Sequence, residues 1–106
     1  MADIRFSNVT ASAKANVYFD GKVVSHRIDL PDGSKKTLGL IYPGSFKFDT
    51  KAPERMEIIA GSARVKLAGE AAWRTCGAGT AFDVPGDSSF EISVQDGIME
   101  YVCSYQ

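Results

Sequence analysis

The chain has 106 residues, 44% hydrophobic and 24% charged, with 12 basic against 13 acidic side chains. That length bounds one domain, residues 1–106, which on folding buries about 65% of the surface of an unfolded chain, and the composition is that of a soluble globular protein rather than a disordered or fibrous one. A net charge of -1 without any basic run excludes a nucleic-acid stripe, and no stretch approaches the roughly eighteen apolar residues of a membrane span.

In chain order, residues 1–15 are the least patterned and are expected to form a short edge strand or a frayed arm. Their opening, Met1-Ala2-Asp3-Ile4-Arg5, lacks the apolar run of a signal peptide. Residues 16–19 and 22–28 flank Asp20-Gly21, which reads as a tight hairpin. Turn signals follow at Pro31-Asp32-Gly33-Ser34, Pro43-Gly44, Gly61, Ala68-Gly69, Gly77-Ala78-Gly79, Pro85-Gly86 and Asp96-Gly97. Between them the period is two. Phe46 and Phe48 alternate with Lys47 and Asp49, Met56 and Ile58 with Glu57 and Ile59, Val65 and Leu67 with Lys66, and Phe90, Ile92 and Val94 with Glu91 and Ser93. Such alternation places one set of side chains on each face of a strand, and strands at this spacing predict an all-β sandwich or barrel with almost no helix. Cys76 and Cys103 stand apart, with no CxxC and no neighbouring histidine. They read as reduced thiols of a cytoplasmic protein rather than zinc ligands.

Two blocks carry a more specific pattern. Glu54 precedes Gly61 by seven residues, and Gly79 precedes Pro85-Gly86 by six. These offsets resemble the two motifs of the cupin superfamily, which implies a cupin-like (RmlC-like jelly-roll) β-barrel. In metal-binding cupins a His-x-His pair stands just before the glutamate and a further His five residues after the proline. Here those positions are Phe48, Thr50 and Phe90, and the only histidine, His26, lies outside both blocks. The ligand set is gone, so no metal is expected, and the mouth of the barrel is expected to be apolar and aromatic.

The resemblance narrows with Val17-Tyr18-Phe19-Asp20-Gly21-Lys22-Val23, Glu54-Arg55-Met56-Glu57-Ile58-Ile59-Ala60-Gly61, Trp73, the run from Gly79 to Phe90, and the close Tyr101-Val102-Cys103-Ser104-Tyr105. Together, over residues 16–106, they are similar to the small bacterial pyrimidine/purine nucleoside phosphorylase family. That resemblance implies phosphorolysis of purine and pyrimidine nucleosides to free base and (deoxy)ribose 1-phosphate, with inorganic phosphate as co-substrate, no cofactor, and a homodimer. It brings no residue-level catalytic assignment, and the site is read from the residues themselves.

Breaking an N-glycosidic bond builds positive charge on the sugar, so phosphate must be aimed, the sugar held, and the departing base gripped and protonated. Aromatic faces hold any base. Phe48 and Phe90 are the leading pair, and Tyr42, Phe46, Phe82 and Tyr101 are further candidates, each equally readable as core. For phosphate, Arg55 leads and Lys47 is second, with the backbone and hydroxyls of Gly86, Ser88 and Ser89 as a turn donor set beside an unhelpful Asp87. Arg55 also reads as one half of a surface salt bridge, and Gly86 as a plain turn glycine. Glu54 and Asp83 are the candidate acids, and Thr50 a ribose contact. Asp83 has a raised pKa if it faces inward, but alternation with Phe82 and Val84 favours the outward face, as it does for Glu57. His26 reads as an exposed strand residue. The competing readings are a non-catalytic small-ligand-binding cupin module, and a packed interaction domain with exposed Trp73 and Tyr105 at a dimer seam. A metal-dependent cupin enzyme ranks last.

Overall fold

A computed structural model describes residues 4–106. Eleven strands carry nearly all of the regular structure: β1 (Thr10–Ala11), β2 (Asn16–Tyr18), β3 (Val23–Asp29), β4 (Lys35–Ile41), β5 (Gly44–Asp49), β6 (Glu54–Ala60), β7 (Ser62–Leu67), β8 (Arg74–Gly77), β9 (Ala81–Val84), β10 (Ser89–Val94) and β11 (Met99–Tyr105). They form two antiparallel sheets. One runs β1-β3-β4-β11-β6-β9, with β2 also pairing along β3, and the other runs β5-β10-β7-β8. The sheets face each other, and the alternation in the sequence decides what lies between them. Val23, Ile41, Ile58, Val84 and Met99 of the first sheet meet Val65 and Ile92 of the second, each at most 1% exposed. Burying side chains of this size is worth roughly 1.5–3 kcal/mol apiece, which makes this layer the main stabilising element.

The two motif blocks are brought together as neighbouring strands. Glu54 pairs with Val84 and Met56 with Phe82 across β6 and β9, and Gly79 and Thr80 extend the contact through two backbone hydrogen bonds to Ile58. The loops beyond them are tied as well. Thr50 N–H donates to the Ser88 carbonyl and Asp87 N–H to the Lys51 carbonyl.

Two expectations take more definite form. Of the alternatives for residues 1–15, β1 is a short edge strand, pairing Thr10 with Asp29 and Ala11 with Ile28; the first three residues of that segment lie outside the described residues. The tight Asp20-Gly21 turn is wider than expected. Tyr18 pairs with Val23, and a single 3-10 turn at Phe19–Gly21 spans the gap. Phe19, Asp20 and Gly21 have φ of 53°, 56° and 86°. A left-handed phenylalanine costs on the order of 1–3 kcal/mol. It is compensated by packing, with its ring 4.9 Å from that of Phe46 and 5.5 Å from that of Phe48.

Candidate active site

Between the sheets, at the end where β4 begins and β11 finishes, a cavity of about 480 Å3 opens. That lies within the roughly 300–1,000 Å3 range of small-molecule sites. Its second-sheet wall is aromatic. Phe48 and Phe90 are directly opposite in the β5–β10 register, and their rings stack at 5.3 Å and 20°. Phe19 closes edge-on over Phe48, while Phe82 meets the other side of Phe90 from the core, 5.5 Å away.

The facing wall is polar. Period two on β6 turns Glu54 and Met56 inward; on β11 it turns Tyr101, Cys103 and Tyr105 inward, and all five line the cavity. Cys103 Sγ donates to Glu54 Oε1 at 3.4 Å. Thr37 Oγ1 and Tyr105 Oη share a hydrogen bond of 3.3 Å, and Asn16 Nδ2 donates to Ser25 Oγ at 3.4 Å. Tyr101 fits because β4 carries glycine opposite it: a Cβ on Gly39 would collide with the Tyr101 ring. A strand glycine marks such a close approach.

Burial controls protonation here. It raises the Glu54 carboxyl above its ordinary value against a smaller opposing effect from the Cys103 hydrogen bond. Burial first, and the Glu54 carboxylate second, push the Cys103 thiol up to about 12. Burial likewise pushes the Tyr105 phenol up to about 12 and raises Tyr101 further. The thiol and both phenols therefore keep their protons at neutral pH, and Glu54 holds its own to a higher pH than a solvated carboxyl does.

The sequence-derived candidates divide by location. Glu54, Phe48 and Phe90 lie together on the cavity wall. Lys47 borders the cavity, but its place between Phe46 and Phe48 turns its exposed side chain to the outer face of edge strand β5, opposite Glu91. Arg55 and Asp83 do not line the cavity. They face away from the cavity on the outer side of β6 and β9 and pair with each other, Nη1 to Oδ2 3.0 Å, with 45% and 63% of their side chains exposed. This takes both out of the cavity and onto the outward face and the surface salt bridge that the sequence left open for them, and its cause is the same alternation that turns Glu54 inward. Tyr42 is also outside, exposed just past β4. Thr50 is buried, and its hydroxyl donates to the Pro85 carbonyl at 2.6 Å and accepts from Ser88 N–H at 3.1 Å. The turn at Gly86 and Ser88 therefore spends its Asp87 and Ser88 N–H groups inside the protein. Gly86 itself is packed so close to the 51–53 segment that a Cβ would meet the Lys51 carbonyl oxygen at 2.8 Å. These three residues form a loop clamp rather than an anion cradle.

Of the further aromatic candidates, Phe46 and Phe82 are core and Tyr101 lines the cavity. Glu57 faces away from the cavity, and His26 is exposed, its Nδ1 3.1 Å from the Ser12 carbonyl oxygen. Trp73 is exposed just before β8, but Tyr105 is half-buried in the cavity and not at a surface seam. Sequence reasoning missed Thr37, Cys103, Tyr105, Ser25 and Asn16. The available signal was the inward register of Tyr101, Cys103 and Tyr105 at the end of β11.

Among the described residues no group of three or more His, Cys, Asp and Glu is placed to hold a metal ion, and no helix is long and apolar enough to cross a membrane.

The profile of the family described as pyrimidine/purine nucleoside phosphorylase matches residues 13–105. A protein of that name from Cupriavidus pinatubonensis is 56% identical over 101 residues, covering 95% of each chain. The crystal structure of a protein of unknown function from Acinetobacter sp. ADP1 superposes with a TM-score of 0.93 at 44% identity, over 96% of this chain and 98% of that one. Oxalate decarboxylase from Bacillus subtilis, a manganese protein, superposes with a TM-score of 0.74 at 16% identity, over 99% of this chain and 30% of its own. That likeness is one of fold, and it identifies the two facing sheets as a cupin-like jelly-roll barrel.

Proposed function

Since the chain belongs to the pyrimidine/purine nucleoside phosphorylase family, we propose that it is a metal-independent nucleoside phosphorylase. It converts purine and pyrimidine nucleosides with inorganic phosphate to free base and (deoxy)ribose 1-phosphate. The observation that carries this reading is Glu54, an inward carboxyl with a raised pKa facing a stacked pair of phenylalanines across a nucleoside-sized cavity.

In this reading the base lies against Phe48 and Phe90, which offer faces but no hydrogen-bonding groups, so purines and pyrimidines are held alike. A phosphate oxygen bonds to the anomeric carbon as the C–N bond breaks, and its electron pair leaves with the base nitrogen. Glu54 supplies the proton to the base and is recharged by the proton that phosphate releases. Lys47, which borders the cavity from edge strand β5, takes the phosphate role first given to Arg55, reaching the mouth around the edge of the sheet. Metal independence is supported by donor chemistry. Phe48 and Phe90 have no donor atom, and the Thr50 hydroxyl is committed to Pro85 and Ser88. The reading includes a cytoplasmic homodimer, for which exposed Trp73 and Ile98 are apolar surface that an interface would cover.

The test is EDTA-treated protein incubated with uridine and with adenosine, with and without phosphate. Free base that appears only with phosphate is the expected result. No base in any reaction refutes the enzyme reading, and base formed only after metal is restored refutes its metal-independent form.

A further inference from the structure

The cavity has two chemically distinct poles. Phe19, Phe48 and Phe90 make one, without a polar side-chain atom among them. The other belongs to the first sheet, where the Thr37–Tyr105 and Asn16–Ser25 hydrogen bonds place four neutral polar groups on the wall. Glu54 stands beside this pole, directly across the β6–β11 register from Tyr105.

We propose that the polar pole is a pentose subsite, in which Thr37 and Tyr105 bind the ribose hydroxyls and so fix the glycosidic bond opposite Glu54. This rests on the nucleoside phosphorylase reading and says where its selectivity resides. Sugar hydroxyls donate and accept at once and need partners that do the same. The Thr37–Tyr105 bond consumes one proton and one lone pair, leaving the pair a donor and several acceptors to spend. Phosphate fits this pole poorly, because a dianion calls for a cation and the pole's lining has none. Lys35 reaches Tyr105 only over the ring, 5.0 Å from its centroid, and Lys47 belongs to the opposite sheet.

The division also accounts for breadth towards bases. An apolar slot discriminates weakly between ligands, whereas a site built to hydrogen-bond a hydroxyl discriminates strongly. A wall that reads no base edge must take its fixed recognition from the part all nucleosides share, and that part is the pentose.

The test compares uridine with free uracil. In the phosphate-dependent reaction, KM for uridine and the inhibition constant of uracil are measured for wild type, Thr37→Val, Tyr105→Phe and Phe48→Leu, with circular dichroism melts to establish that each variant folds. Thr37→Val and Tyr105→Phe should each raise the uridine KM about tenfold, the equivalent of one lost hydrogen bond of about 1.4 kcal/mol, and leave uracil inhibition unchanged. Phe48→Leu should weaken both. Equal effects on uridine and uracil in the two hydroxyl variants, or no effect on either, would overturn the pentose subsite. If wild type releases no uracil with phosphate, the nucleoside phosphorylase reading fails instead. Calorimetric binding of uridine and uracil to the same variants then decides the subsite by the same split.

Discussion

On β6, Glu54 turns its carboxyl into the cavity beside Cys103, whereas the next residue, Arg55, turns outward to Asp83. The two are adjacent in the chain and live in different media. Inside, burial raises the Glu54 carboxyl, which keeps its proton to a higher pH than a solvated carboxyl does. Outside, the Arg55–Asp83 pair is bathed in water and screened, and is worth about 0–1 kcal/mol of stability. Membership of a motif therefore says little about a residue's part in a site. Which face of the strand it occupies says much more.

The sharpest way to break this contrast is Glu54→Gln. It keeps the shape and removes the exchangeable acid, so kcat should fall on the order of 10²–10⁴-fold. A fall of less than threefold would take Glu54 out of the chemistry. The same variant should melt higher than wild type at pH 7. The fold raises this carboxyl, so the protonated form is favoured, and that stability is present below the unfolded value and lost as pH rises through the folded one. A neutral amide escapes the loss. The gain in Tm should therefore vanish on acidification through the ordinary carboxylate range. Retention of the gain in acid would mean packing, not ionisation, is its source.

Phe48→Leu comes next, with a rise in nucleoside KM of roughly 5- to 100-fold from a stacking loss of about 1–3 kcal/mol. Phe48 is the cleaner probe of the pair. Phe90 is 3% exposed and part of the core, so Phe90→Ala should also cost about 3–5 kcal/mol of stability. Thr50→Val sharpens the contrast from another side. It leaves Ser88 N–H without its acceptor and should cost about 1–3 kcal/mol in denaturant titrations, with kcat/KM of the folded protein unchanged. A loss of activity at full stability would return Thr50 to the substrate.

Much of the fold was legible because period two is a direct consequence of strand geometry. Phe46 and Phe48, Met56 and Ile58, and Phe90 and Ile92 all turn to the same side as read. The aromatic pole followed from the same rule, since Phe48 and Phe90 stand where inward ligands would be. The polar pole did not. Thr37 on β4 and Tyr105 on β11 are 68 residues apart, and only the pairing of those two strands brings their hydroxyls together. Nor did the loop clamp, because a turn that reads Pro-Gly-Asp-Ser looks the same whether its N–H groups face an anion or, as here, the Thr50 hydroxyl and the Lys51 carbonyl. Alternation also favoured the outward face for Asp83, and its pairing with Arg55 required the β6–β9 register.

The smallest effects belong to the cations, and they compare the edge of the cavity with the outer face of β6. Lys47 borders the cavity from edge strand β5, and Lys47→Ala should raise KM for phosphate severalfold while leaving KM for uridine nearly unchanged. Arg55→Ala removes a guanidinium whose visible partner is Asp83 on the outer face, so both KM values should stay within twofold of wild type. Stability should drop by no more than about 1 kcal/mol, and raising the salt should erase most of that difference. A phosphate KM that rises with Arg55→Ala and not with Lys47→Ala would move the phosphate to the outer face. Phosphate must reach an anomeric carbon held between the two poles of the cavity, and the outer face of β6 lies on the wrong side of the sheet. That result would therefore displace the whole site, and a null result at Arg55 with a phosphate-specific defect at Lys47 fixes the direction from which phosphate enters.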